Sequence, residues 1–285
     1  MIRRKTLSNL ILTLFVAFMC VPFLLTAVYS ISTEWGKSIF PSGLTLKWYG
    51  QLYSDPRFIE AIVRSCLLTF GTLIAVLIIV VPSIVIITLY LPDLEKYLKP
   101  TVLMPYAIPG VVLATGLLKT YSSGFIPLTV VLSGGIFIYS LPFMYQSIHN
   151  GLREVDARTL MEAAEILGAS KPEAFVKVLL PNIRIGIMVG SLLTFSTFLG
   201  EFQITNMLLG GDFETIRIYM LRVMQINGHL SSAVVVSYFL LLLIISAIIV
   251  KITSHKPYVS SSDRDKKVRR ATQTKGRASN ELFND

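Results

Sequence analysis

Few of the residues in this sequence that could do chemistry stand in apolar surroundings. The clearest is Glu201, inside "TFSTFLGEFQITNMLLGG" at 194–211. A carboxylate in such a run is costly, so it marks either a working position or an acid near an interface, bonded to backbone or to a neighbour. Both readings stay open here. At helical spacing Thr197 and Glu201 share a face with Ile204, so Thr197 and Glu201, with Asn206 close by, could line a polar path. Other chemistry is missing. Cys20 and Cys66 read as small buried hydrophobes. His149, His229 and His255 lie far apart, and no Cys pair has metal-ligand spacing. There is no G-x-x-x-x-G-K-[ST], no H-E-x-x-H and no G-x-S-x-G. The chain is therefore expected to be no enzyme and to hold no cofactor.

A second group is charged and helix-friendly: "EAAEILGASKPEAFVKVLLP" at 162–181. Asp156 or Thr159 can cap a first helix, in which Leu160, Ala163, Ala164 and Leu167 fall at i, i+3, i+4 and i+7 and make a shallow apolar face. Gly168 stops that helix, and Ser170 and Glu173, at capping-box spacing around Pro172, restart it. Phe175, Val178 and Leu179 continue the apolar face up to Pro181. Such a unit lies on the membrane, packs on its own bundle, or docks into a groove of a soluble partner. Pattern alone leaves these open.

The elements around these residues are membrane spans. Hydrophobic residues make up 53% of the 285 and charged residues 15%, where a soluble chain carries about 25%. Mean hydropathy is +0.65. The apolar residues form six blocks, at 7–31, 61–91, 101–120, 125–148, 183–209 and 232–252, each at least as long as the ~20 residues a helix needs to cross a bilayer. The class is all-α, a polytopic membrane protein of six transmembrane helices, with the membrane body at 7–254. Pro105 and Pro109 are expected to kink the third span. Arg3-Arg4-Lys5 precedes an apolar run too long for a signal peptide, which reads as an uncleaved first span.

Net charge is +9, and its placement speaks for topology rather than nucleic acid. With six spans, nineteen Lys and Arg fall on the side of the termini and seven on the other. Both termini, at 1–6 and 255–285, are thus expected in the cytoplasm, together with the 150–182 loop between spans four and five. The tail 255–285 reads as disordered and basic, able to touch lipid headgroups. On the outer side, 43–65 suits a short interfacial helix with Trp35, Trp48, Tyr49 and Tyr53 in an aromatic belt, and a re-entrant or surface helix is expected around 216–226.

The charged stretch resembles the EAA loop of membrane subunits of binding-protein-dependent ABC importers. The matching residues are Glu162-Ala163-Ala164, Gly168, and Val178-Leu179-Leu180-Pro181, with Val178 where the motif has Ile. The resemblance extends over about 7–254. It implies that Glu162, Ala163, Ala164, Leu167, Gly168, Leu180 and Pro181 form a coupling loop docking on a cytoplasmic ATPase. It also implies two ATPase subunits that bind ATP-Mg, a second permease (similar or identical), an external or periplasmic binding protein, and residence in a bacterial inner membrane. The stretches 43–65 and 215–221 are similar to spermidine/putrescine-type permeases, while Gly200-Glu201-Phe202 looks more like permeases for 2-aminoethylphosphonate, ferric iron or other anions. The leading expectation is a polyamine importer. A rival class, an ion-gradient transporter, would need mid-membrane acids and leaves the charged loop unexplained.

Overall fold

The computed structural model describes residues 2–36 and 39–253, with side chains from residue 9 onward. The N-terminal basic side chains and the tail 255–285 lie outside these residues. Among the described residues every regular element is a helix, and the one β contact is an isolated bridge between Ser32 and Leu44. Four helices are long and apolar enough to cross a membrane, and six spans result if each of two bent pairs counts as one.

Three helices form the centre: α3 (Pro56–Tyr90), α6 (Leu128–Glu154) and α10 (Arg184–Leu199). α3 starts at Pro56 because Asp55 accepts the Arg57 N–H at 2.9 Å and proline suits a first helical turn. It ends at Tyr90 because Pro92 pushes Leu91 out of the helical region, to φ −131°, ψ 60°. α6 and α10 approach closely through small residues. Gly186 and Gly190 stand four apart on α10 and face Ser147 and Gly151, four apart on α6. A Cβ on Gly186 would lie 2.6 Å from the Ser147 carbonyl oxygen, so only glycine permits this crossing. Small-xxx-small pairs of this kind bring membrane helices into backbone contact.

Around this centre the third span is broken rather than kinked. α4 (Pro92–Leu103) and a 3₁₀ turn (Met104–Ala107) meet α5 (Gly110–Tyr121) at 90°, with Ile108 and Pro109 at the corner. The expected fifth span, 183–209, is also interrupted: α10 stops at Leu199 and a short α11 (Gln203–Leu208) follows. α6 runs six residues past the expected end of its span at Ile148, to Glu154.

α1 (Ile2–Ser30) lies at the periphery against α13 (Gly228–Thr253), with Phe23 edge-on to Phe239 at 5.0 Å. None of its apolar window is buried among the described residues. The expected outer helix is α2 (Lys47–Ser54), but Trp48 is no belt residue. It is buried, donates to the Ser32 carbonyl at 2.8 Å, and stacks on His229, which stacks in turn on Tyr29. A ring that size is worth more in this three-helix contact than at a headgroup boundary. The expected surface helix is α12 (Ile216–Met224), held on α3 by Tyr219 donating to Asp55 at 2.8 Å and by the Ile216 N–H on Ser65 at 2.9 Å. Burial, and then the bond to Asp55, push the Tyr219 hydroxyl's pKa up.

Candidate functional site

The 150–182 stretch folds as a helix–turn–helix unit. α7 (Ala157–Ile166) follows Asp156, which adopts the left-handed region at φ 47°. Asp156 does not cap through its side chain; the turn itself redirects the chain out of α6. Ala157, Met161 and Ala164 are the buried face, with Leu160 half-buried, and they join the same core cluster as Ile148 and Leu152 of α6. The expected stripe of Leu160, Ala163, Ala164 and Leu167 is therefore split. Ala164 points inward, Ala163 is exposed, and Leu167 is 88% exposed beside Ile166 at 85%. Leu160 and Ala164 keep to the buried face, whereas Leu167 leaves it because α7 ends at Ile166.

Gly168 does what its position suggested. At φ +92° it lets Ala169 N–H return to Ala164 O (3.1 Å) and Gly168 N–H to Glu165 O (3.0 Å). These are the paired bonds of a Schellman stop, satisfying carbonyls that the helix end leaves free. The turn carries Ile166 and Leu167 on its outer side, two large apolar side chains with nothing of the described residues over them. Glu162 is exposed and meets Arg158 at 3.4 Å.

α8 (Lys171–Ala174) restarts the chain. Ser170 makes no side-chain cap, but its N–H reaches the Glu173 carboxylate, so half of the expected capping box forms. Lys177 donates to Glu173 at 2.7 Å; that bond and its charge hold the Glu173 carboxyl below the usual range and push Lys177 up. A π turn (Phe175–Leu179) and α9 (Leu180–Asn182) lead into α10 through a 70° bend. Pro181 has no N–H to continue an i→i−4 ladder, and the wider turn sits just before it. Asn182 Nδ2 donates to Val178 O at 2.7 Å, replacing part of the broken ladder. Leu180 is half-buried and Pro181 exposed.

The second group sits at the far end of α10. Glu201 does not share a helical face with Thr197, because the helix stops at Leu199. Its carboxylate instead accepts Ile204 N–H at 2.7 Å, Thr205 N–H at 3.0 Å and the Thr205 hydroxyl at 2.5 Å. That satisfies the free amides of α11 and places negative charge at a helix N-terminus. The second of the two sequence readings thus describes its bonding. Thr197 and Asn206 are exposed on either side of the break. α11 packs on α5, and the Gln203 side chain lies where a Cβ on Gly110 would stand, 2.8 Å away. The two helix breaks therefore abut.

Ile166, Gln203 and the Gly186/Gly190 seam were not picked out from the sequence. The seam had a signal, a G-x-x-x-G inside an apolar helix. Ile166 and Gln203 had none, since their importance comes from where turns end. Among the described residues no group of His, Cys, Asp or Glu could hold a metal ion.

This geometry has relatives. A permease protein of a spermidine/putrescine transport system, PotB of Escherichia coli (strain K12), is 34% identical over 87 residues, 30% of each chain. PotC of Haemophilus influenzae, from a system of the same name, is 25% identical over 219 residues, 74% of this chain and 82% of that one. A putative 2-aminoethylphosphonate transport system permease protein, PhnV of Salmonella typhimurium (strain LT2), is 26% identical over 207 residues, 71% of this chain and 77% of that one. The aligned part spans 29% of PotB from Salmonella typhimurium (strain SL1344). The crystal structure of a bacterial ABC transporter involved in the import of the acidic polysaccharide alginate contains a chain with the same fold: TM-score 0.67 at 15% identity, covering 90% of this chain and 98% of that one. Residues 73–256 match the family described as binding-protein-dependent transport system inner membrane component, and this chain belongs to that family.

Proposed function

We propose that this chain is the transmembrane subunit of an ATP-driven importer, built as six spans with both termini and the 150–182 loop in the cytoplasm. The observation that carries this reading is the coupling unit: a helix–turn–helix, closed at the turn by the Gly168 stop, that buries one face and presents Ile166 and Leu167 outward. Two large apolar residues on a stiff turn suit helix-in-groove docking. The groove belongs to a cytoplasmic ATPase subunit, two of which bind ATP-Mg and supply the energy. A second permease subunit and a substrate-binding protein complete the assembly. Closure of the ATPases moves the docked unit, and α10, joined to it through the bend at Ile183, transmits that motion to the break at Glu201. Thr197 and Asn206 line the path there, and Glu201 holds its shape.

The solute in this reading is a polyamine of the spermidine/putrescine class, supported by the likeness to PotC along most of the chain. A second solute, 2-aminoethylphosphonate, is favoured by the Gly200-Glu201-Phe202 turn and the extent of likeness to PhnV. Calorimetric titration of the cognate binding protein with both compounds decides between them. The coupling itself is tested by Glu162→Ala and Gly168→Ala in the full complex. Forcing alanine to φ +92° costs ~1–2 kcal/mol, so Gly168→Ala is expected to loosen ATPase retention on purification and to cut uptake several-fold. Unchanged uptake and retention in both variants would sink the docking role.

A further inference from the structure

A cavity of about 330 Å³ separates α3 from the coupling unit. Its walls are Pro82, Val85 and Ile86 of α3, Met161 of α7 and Phe175 after α8. Tyr90 and Lys171 stand at its rim, with the Lys171 ammonium 4.9 Å from the centre of the Tyr90 ring. The volume is at the small end of ligand pockets, ~300–1,000 Å³. Its inner lining is apolar, so a polar solute would lose hydrogen bonds with water and gain none. Outside it, the face of α3 bearing Ile79, Ile86 and Tyr90 is exposed, continuing the apolar surface from the cavity along the helix into the membrane.

We propose that this cavity receives one acyl chain of an anionic phospholipid from the cytoplasmic leaflet, with the lipid phosphate on Lys171. Charge decides the lipid class. Lys171 is in no ion pair among the described residues, so its ammonium is available to a phosphate. Glu165 also stands near this rim, accepting the Tyr90 hydroxyl at 3.4 Å, so the attraction rests on Lys171. Basic groups at this leaflet meet a negative surface potential that concentrates anionic lipid. One wall belongs to a membrane-spanning helix and the other to α7 and α8. A bound chain therefore sets the spacing between the bundle and the unit that takes up ATPase motion, and favours whichever state keeps the cavity open. The proposal takes from the function proposed above only the orientation that puts Lys171 at the cytoplasmic leaflet.

The test uses the complete transporter in phosphatidylethanolamine nanodiscs doped with a phosphatidylglycerol carrying a diazirine in its acyl chain, or with the matching phosphatidylcholine probe. Cross-links are mapped by peptide mass spectrometry. The expected result is labelling of peptides containing 82–90 and 161–175, several-fold stronger with phosphatidylglycerol. Lys171→Gln removes that preference, and Ile86→Trp, which fills the cavity, reduces labelling by both probes. Labelling confined to other lipid-facing surfaces, equal labelling by both probes that Lys171→Gln leaves unchanged, or a peptide of the second permease cross-linked in the cavity would each overturn the proposal. ATPase content of the same discs is read separately, so failure of coupling is not mistaken for failure of the lipid site.

Discussion

α10 is interrupted at both ends, and the two interruptions are made differently. At the near end the chain bends by 70° next to Pro181, through a π turn and a single side-chain bond from Asn182 to Val178 O. The polar groups there are close to water, and the bend sits beside an exposed unit. At the far end Glu201 closes the helix stop with three donors to one carboxylate, against buried Ile204 and Thr205. Ile204 and Thr205 are buried there, so each of their free amides needs an internal partner. The comparison teaches that a bend beside an exposed unit can be lightly tied, whereas a break among buried residues has to be fully bonded to exist. Between them, α10 is fixed to α6 by the Gly186/Gly190 seam, which keeps the two ends on one rigid rod.

The largest expected effect comes from breaking that rod. Gly186→Leu drives a side chain into the Ser147 carbonyl oxygen, 2.6 Å from an ideal Cβ, and backbone cannot swing aside. Overpacking in a core costs ~1–3 kcal/mol or more. Most of the protein should be lost from the monodisperse peak after detergent extraction. Gly71→Ala, with nothing within 4 Å of its Cβ, is the control and should behave as wild type. Equal yields for the two variants would mean that the seam does not hold the ends together.

The next effects separate the ends directly. Glu201→Ala leaves two buried amides without their acceptor, a cost of ~1–3 kcal/mol, seen as a lowered melting temperature. Glu201→Gln keeps one acceptor oxygen and should fall between Ala and wild type, with the KM for solute unchanged. A raised KM at normal stability would show the carboxylate touching solute and not merely shaping the path. Asn182→Ala removes one neutral, half-buried bond, worth ~0.5–1.5 kcal/mol. Should Asn182→Ala melt lower than Glu201→Ala, the contrast between a lightly tied bend and a bonded break is wrong.

Much of this was readable in advance, for identifiable reasons. Long apolar blocks announced α3, α6 and α13, since bilayer thickness fixes their length. Gly168 was legible because few other residues accept its backbone angle. The break at Glu201 was not, because hydropathy runs on through 183–209 while the stop depends on packing remote in sequence. The Tyr238 hydroxyl lies 2.4 Å from where a Cβ on Gly200 would be, and Gln203 sits against Gly110. Likewise Trp48 looked interfacial by type, and only its neighbours Ser32 and His229 reveal a buried ring. Local chemistry was visible; pairings across tens or hundreds of residues were not.

The smallest expected effect concerns how lightly the near end is tied. The Lys177 ammonium holds the Glu173 carboxyl below the usual carboxylate range, and Glu173 holds Lys177 above the usual lysine range. For a depressed acid, the stabilisation is present above its unfolded pKa and is lost as pH falls through the folded one. For a raised base, it is present below the unfolded value and is lost as pH rises through the folded one. The pair is thus whole around neutral pH and fails first at the acid side, through Glu173. Both side chains are well exposed, so salt screens the pair and its share of stability is slight. A carboxyl ¹³C titration of glutamate-labelled protein should place the Glu173 midpoint lower in wild type than in Lys177→Met, with the gap narrowing as salt is added. An unchanged midpoint in Lys177→Met would mean that the amide of Ser170 alone positions Glu173, and that the restart of α8 owes nothing to the lysine.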